Sequence, residues 1–252
     1  MRIAIIGGSG SALLRPSSAT AVDGSAAATP WGPPSGPLWC WSAGPVTFLL
    51  QYRHGDPHRW LPHEVNYRAN LWQLHRAQVD AVVGANTVGH IDRRLAVGGL
   101  VMPDQLIDYT WGRPATFGGT GGLPAGTSHV EFTEPFDAAL RGRLATAAAA
   151  AGIPLEATGT YGVTQGPRLE TAAEIERLAR DGCTIVGMTA MPEAALAREA
   201  GLPYALLCVS VNAAAGRGVA GESMHASMAA ARAGGMERIG RVLAALAAGL
   251  AG

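Results

Sequence analysis

The side chains with chemistry to offer fall at glycine- and proline-marked bends. Arg53-His54-Gly55-Asp56-Pro57-His58 sets a guanidinium beside an imidazole, with further imidazoles at His58 and His63. Arginine suits a tetrahedral anion because its donors form a rigid fork. Gly7-Gly8-Ser9-Gly10 offers main-chain N–H groups and a hydroxyl, the makings of an anion nest. Gly166-Pro167-Arg168-Leu169-Glu170-Thr171 places a carboxylate just past a bend, where it can accept from ring N–H groups. Gly187-Met188-Thr189-Ala190-Met191-Pro192-Glu193 puts a hydroxyl next to a thioether, a soft and adaptable wall for a flat ligand. Asn212 can donate and accept at once, so it can read a ring edge that alternates the two.

Each feature also has a plainer reading. The glycine turn serves as an ordinary strand-to-loop bend, and Arg53 with His54 as a solvated pair. Glu170 suits a helix N-terminus, where an acid complements the macrodipole. Met188 serves as core filler, and Asn212 as a helix cap or turn residue. Two familiar motifs fail. The dinucleotide fingerprint breaks at Leu13, where the third glycine is due, which argues against a nucleotide-binding oxidoreductase. The nucleophile elbow breaks at Ser11, where its last glycine is due. The histidines at 54, 58 and 63 sit in a proline-rich loop without a helical i, i+4 partner, so no metal is expected.

The composition narrows the field further. The 252 residues carry 19 positive and 19 negative side chains, which leaves no electrostatic footprint for nucleic acid or an acidic membrane. Every positive side chain is arginine, so lysine Schiff-base chemistry and a Walker A loop are excluded. Cys40, Cys183 and Cys208 are odd in number and widely spaced, as expected for reduced thiols in a cytoplasmic protein. The first apolar run is too short for a signal sequence, and no run reaches the ~20 residues of a membrane span.

These residues need elements to bring them together. Apolar runs predict strands over Arg2–Ile6, Val46–Tyr52, Ala81–Ala85, Leu100–Ile107, Ala157–Val163, Thr184–Met188 and Tyr204–Val211. Helical patterning covers Glu64–Gln78, Pro135–Ala151, Thr171–Arg180, Glu193–Ala200 and the last thirty or so residues. Residues 15–37 and the glycine-rich stretch 111–128 read as loop, the second long and flexible. No repeat or linker interrupts the alternation, so a single α/β domain over residues 1–252 with a largely parallel or mixed sheet is expected. In such sheets the strand ends carry the site. Ser9, Arg53, Asn86–Thr87, Met188–Thr189 and Asn212 each follow a predicted strand, which fits one shared crevice.

Together these phrases resemble the trimeric purine nucleoside / 5'-methylthioadenosine phosphorylase family. The likeness includes Ile5-Ile6-Gly7-Gly8-Ser9-Gly10, Thr29-Pro30-Trp31-Gly32, Arg53-His54-Gly55, Pro62-His63-Glu64-Val65-Asn66-Tyr67-Arg68-Ala69-Asn70 and Pro103-Asp104-Gln105-Leu106-Ile107-Asp108, besides the phrases at 166–171 and 187–193. The resemblance implies a twisted mixed central sheet flanked by helices. It also implies phosphorolysis of a nucleoside to free base and a ribose 1-phosphate, in purine or methylthio-nucleoside salvage. Inorganic phosphate is then a co-substrate, and neither cofactor nor metal is needed. It assigns Ser9, Arg53, His54, the backbone at Thr87 and Thr189 to phosphate, Met188 to the ribose, and Leu169, Glu170 and Asn212 to the base. His54 and Asn212 are the implied catalytic side chains. Leu169 stands where relatives often carry an aromatic. Asn212, where adenine-cleaving relatives resemble Asp, suits a 6-oxopurine, so the likeness is to the 6-oxopurine members, those acting on inosine, guanosine or 5'-methylthioinosine.

The 5' end of the nucleoside stays open between a thioether and a hydroxyl. Met228 with Met224 suits the first and His225 the second. His58 and His129 match histidines near this end, His129 reaching in from a neighbouring subunit. A homotrimer is implied, with a hexamer as the alternative assembly. The alternative activities are 5'-methylthioadenosine phosphorolysis and a catalytically reduced, nucleoside-binding paralogue.

Overall fold

The computed structural model describes residues 1–119, 129–218 and 224–250, with side chains of the last segment described from residue 228. The strands are β1 (Arg2–Gly7), β2 (Thr20–Ala21), β3 (Trp39–Ala43), β4 (Val46–Tyr52), β5 (Ala81–His90), β6 (Leu100–Val101), β7 (Gln105–Asp108), β8 (Leu155–Glu156), β9 (Thr160–Val163), β10 (Ile185–Gly187) and β11 (Tyr204–Ala213). The helices are α1 (Tyr67–Arg76), α2 (Ala138–Ala150), α3 (Ala172–Arg180), α4 (Ala190–Glu199) and α5 (Met224–Gly249). Among the described residues all the strands join one mixed sheet, in the order β2-β3-β4-β1-β5-β10-β9-β7, with β11 on β5, β6 on β11 and β8 on β6.

Burial is nearly continuous along the central strands, as a sheet covered on both faces requires, with successive side chains entering opposite layers. Ile3 and Ile5 of β1 pack with α2 and α5 residues such as Leu144 and Ile239. Ala4 and Ile6 pack on the other side with Leu71 of α1 and Leu196 of α4. Side-chain caps set several helix starts. Asn66 Oδ1 accepts from Ala69 N at 3.2 Å, and Asp137 Oδ1 accepts from Leu140 N at 2.7 Å. Thr171 and Glu174 form a reciprocal capping box on α3.

The topology positions the site at the centre of β5. β1 runs parallel to β5 as far as the Gly7–Ala85 pair, and β10 pairs antiparallel with Gly89 and Val186 opposite each other. β11 runs along β5 from Val82 to His90, with a bulge between Ser210 and Asn212. Asn86, Thr87 and Val88 therefore lie where pairing passes from β1 to β10. Such a change of direction opens a crevice at strand ends.

The structure departs from expectation in several places. β5 continues five residues past Ala85 because β11 pairs with it to the end, a tertiary effect that overrides its polar and glycine-rich tip. The run expected over 100–107 divides into β6 and β7, which pair with β11 and β9 respectively. β2 falls inside the stretch 15–37 expected as loop, and β3 just after it; both are strands through antiparallel pairing, β2 on β3 and β3 on β4. Of the expected flexible loop, residues 120–128 lie outside the described residues. The described part is anchored: Phe117 is buried, and its N–H donates to Glu199 at 3.1 Å.

Candidate active site

Arg53 leaves the end of β4 and is buried, with 1 % of its surface exposed. Its Nε donates to Glu193 Oε2 at 2.6 Å, and its Nη2 donates to Glu193 Oε1 and Asn86 Oδ1, each at 2.8 Å. The fork expected to clasp an anion thus holds the α4 carboxylate. Nη1, with no hydrogen-bond partner among the described residues, faces the glycine turn, where a Cβ on Gly8 would come within 3.0 Å of it. Tyr204 at the start of β11 donates to Glu193 Oε1 at 2.6 Å. Burial works against the charge on Arg53, but Glu193 more than offsets this and holds the guanidinium above its ordinary pKa. Burial and Glu193 together push the Tyr204 hydroxyl well up.

Asn86 links this ion pair to the next strand end. Its Nδ2 donates to Thr189 Oγ1 at 3.1 Å, so the Thr189 hydroxyl keeps its own proton to donate. His54 Nδ1 lies 2.8 Å from the carbonyl of Trp60, and its ring stacks on His58 with centroids 4.3 Å apart. Burial first and the neighbouring Arg53 second lower its pKa to about 4. This end of the crevice is therefore close to electrically neutral, a cluster of donors around one balanced ion pair.

The opposite end is built on the two phrases at 166–171 and 187–193. The backbone at Gly166 turns with φ +63°, and an added Cβ would lie 2.5 Å from Met188 Sδ, so the turn and the thioether need glycine to pack. Glu170 is not the helix cap, a role taken by Thr171 with Glu174. Its carboxylate accepts from Thr164 Oγ1 at 2.5 Å and faces the crevice. Asn212 sits at the β11 bulge with 8 % exposure, its Nδ2 donating to Ala213 O at 2.7 Å.

Both ends open into one cleft of about 300 Å³. Ser9, Arg53, His54, Thr87 and Thr189 line one end, and Leu169, Glu170, Met188, Asn212, His58 and Met228 line the rest. Leu169 leaves 44 % of its surface exposed. His129 is exposed and is not among the lining residues of its own chain. The side chains of His225 and Met224 lie outside the described residues. No group of three histidine, cysteine or acidic side chains suited to a metal occurs among the described residues.

Sequence reasoning gave no role to three further residues. Glu193 stands in the quoted phrase but reads as a surface acid of a helix, and nothing local announces its partner 140 positions away. Thr164, which orients Glu170, lies in a strand end without a motif. Arg113 lies in the loop before the glycine cluster and threads between both phrases. Its Nη1 donates to the carbonyls of Met188 and Met191 at 2.8 and 2.7 Å, and its Nη2 donates to Gln165 O at 2.8 Å. Main-chain acceptors leave no trace in side-chain patterns, so no sequence signal could have found this clamp.

Comparison with known proteins agrees with this geometry. Residues 2–248 match the model of the Phosphorylase superfamily. The chain is 47 % identical over 219 residues to a probable S-methyl-5'-thioinosine phosphorylase of Pseudomonas syringae pv. tomato, covering 87 % of each chain. It is 39 % identical over 218 residues to a probable 6-oxopurine nucleoside phosphorylase of Thermococcus kodakarensis, covering 85 % of this chain and 80 % of that one. The methylthioadenosine phosphorylase of Schistosoma mansoni, solved with adenine, superposes with a TM-score of 0.88 at 29 % identity, over 99 % of this chain and 92 % of that one. With the family model matched over residues 2–248 and relatives this similar along most of its length, the chain belongs to the Phosphorylase superfamily.

Proposed function

We propose that the protein catalyses phosphorolysis of 6-oxopurine nucleosides, 5'-methylthioinosine and inosine or guanosine among them, giving free base and the corresponding ribose 1-phosphate. The observation that carries this reading is the pairing of Glu170 and Asn212 in one cleft with the donor cluster of Ser9, Arg53 Nη1 and Thr189. A carboxylate accepts from N1–H of a 6-oxopurine, whose N1 is protonated, and has nothing to accept from N1 of a 6-aminopurine. The Asn212 amide can serve the O6 and N7 edge.

The geometry accounts for the reaction by positioning and electrostatics. The glycosidic bond breaks as positive charge grows at C1', and the bound phosphate supplies negative charge on the face opposite the leaving base. A hydrogen bond donated to N7 takes up the negative charge that builds on the purine, while Glu170 holds the base by its N1–H. Met188 and Met228 give the ribose an apolar wall. Phosphate is the co-substrate, and the scheme calls for no cofactor or metal. The same reading makes the protein a cytoplasmic salvage enzyme that acts as a homotrimer, without nucleic-acid or membrane partners. Its three unpaired cysteines fit that compartment.

The test is base release from inosine, 5'-methylthioinosine and 5'-methylthioadenosine, with and without phosphate, followed by chromatography. Hypoxanthine is expected only when phosphate is present. Base release that ignores phosphate contradicts phosphorolysis. Asn212→Asp is expected to raise adenine release relative to hypoxanthine by about tenfold or more, because a protonated Asp can donate to N7 while accepting from a 6-amino group. An unchanged ratio removes Asn212 from base selection.

A further inference from the structure

The donors at the anion end are accounted for by the residues above, but one group there is of the opposite kind. His54 Nδ1 lies 2.8 Å from the carbonyl oxygen of Trp60, and a carbonyl only accepts, so Nδ1 carries the hydrogen. The loop fixes this arrangement from both sides, since the His54 carbonyl accepts in turn from the N–H groups of Arg59 and Trp60 at 3.0 and 3.1 Å. The charged and titratable groups around the ring are Arg53, its neighbour in the chain, and His58, stacked at 4.3 Å and 6°. The nearby carboxylate of Glu193 is engaged by Arg53 and Tyr204 rather than by His54. The Trp60 carbonyl favours an imidazolium, but burial and Arg53 outweigh it. Nε2 is then a bare lone pair, with no protein partner among the described residues, on a side chain that lines the cleft beside Ser9 and Arg53.

Resting on the proposal that this end of the cleft holds phosphate, we infer that His54 selects the protonated form of a tetrahedral anion by accepting a hydrogen bond from its P–OH group. Hydrogen phosphate has three bare oxygens and one hydroxyl. The bare oxygens match Arg53 Nη1, the Ser9 and Thr189 hydroxyls and the glycine turn. The hydroxyl matches Nε2, which leaves an unprotonated oxygen to attack C1'. Arsenate offers the same pattern. Sulfate and monofluorophosphate are dianions of similar size without that proton, and each sets a lone pair against a lone pair. Because Glu193 balances Arg53, charge does little to override this mismatch, and hydrogen-bond complementarity decides. His54 is thus a specificity-determining residue for the co-substrate.

Calorimetric titration of the full-length protein with phosphate, arsenate, sulfate and monofluorophosphate at pH 7.5 tests this. Phosphate and arsenate are expected to bind at least about tenfold more tightly than the other two, the effect of one satisfied hydrogen bond. His54→Phe keeps a ring on His58 and removes the acceptor. It is expected to abolish the margin by weakening phosphate and arsenate while leaving sulfate and monofluorophosphate as tight as before or tighter. Equal affinity for all four anions in the native protein, or an equal loss of all four in the variant, overturns the role of His54. Nitrogen NMR of the histidine-labelled native protein reads the tautomer without any mutation. Nδ1 protonated, with an Nε2 resonance that moves on adding phosphate but not sulfate, supports the inference, and an Nε2–H tautomer refutes it. Failure of the protein to bind any of the four anions removes the phosphate site itself and the proposed function with it. Binding without discrimination removes only the inference.

Discussion

At the scale of single residues, the site depends on one buried ion pair that the sequence shows only in halves. Arg53 announces itself by its type and its place after a strand, whereas Glu193 is hidden near the start of a helix, with nothing local to mark it from Glu199 at the other end. The expected fork onto phosphate is instead a fork onto Glu193, which leaves a single nitrogen for the anion. Glu193→Ala strands a guanidinium that is 1 % exposed without its counter-charge, a change that typically destabilises by about 3–5 kcal/mol. Urea denaturation is expected to show a loss of that order. Tyr204→Phe removes only one hydrogen bond to the pair, so its loss is expected near 1 kcal/mol, with phosphate KM raised and nucleoside KM nearly unchanged. A Glu193→Ala protein as stable as the native one contradicts this assignment.

At the scale of elements, strand ends were legible because apolar runs stop at glycine, asparagine and threonine. The five tips named from sequence do converge in one cleft. Helix starts were legible to within a few residues because Asn66, Asp137 and Thr171 are capping types. The length of β5 was not, because its polar tip is a strand only through its pairing with β11. Nor was the clamp by which Arg113 ties the turn at Gln165 to the segment Met188–Met191. Arg113→Met leaves four main-chain carbonyls, those of Thr164, Gln165, Met188 and Met191, without this donor. Nucleoside KM is expected to rise about tenfold, since the turn carries Glu170 and Met188 lines the cleft beside it. Phosphate KM is expected to rise much less, because Thr189 is still held by Asn86 at 3.1 Å. Equal increases in both constants show that the clamp has no preferential hold on the nucleoside end.

At the scale of the whole molecule, the α/β class followed from the alternation of strand and helix patterns, while the branching of the sheet at β5 required tertiary structure. The same packing makes stability sensitive to acid. His54 has an ordinary pKa of 6.5 when unfolded and about 4 when folded, so the unfolded chain takes up its proton first as pH falls. The stabilisation is complete above pH 6.5 and is lost as pH falls from there to 4, on the order of 3 kcal/mol from this group. His90, also lowered by burial, acts in the same direction. Urea midpoints are expected to drop between pH 7 and pH 4.5, with a smaller drop in His54→Phe. The central claim concerns the base. It is tested most directly by comparing kcat/KM for 5'-methylthioinosine and 5'-methylthioadenosine at saturating phosphate. Glu170 with Asn212 predicts a preference for the thioinosine of about a hundredfold or more. Equal values, or a preference for the thioadenosine, would contradict the account.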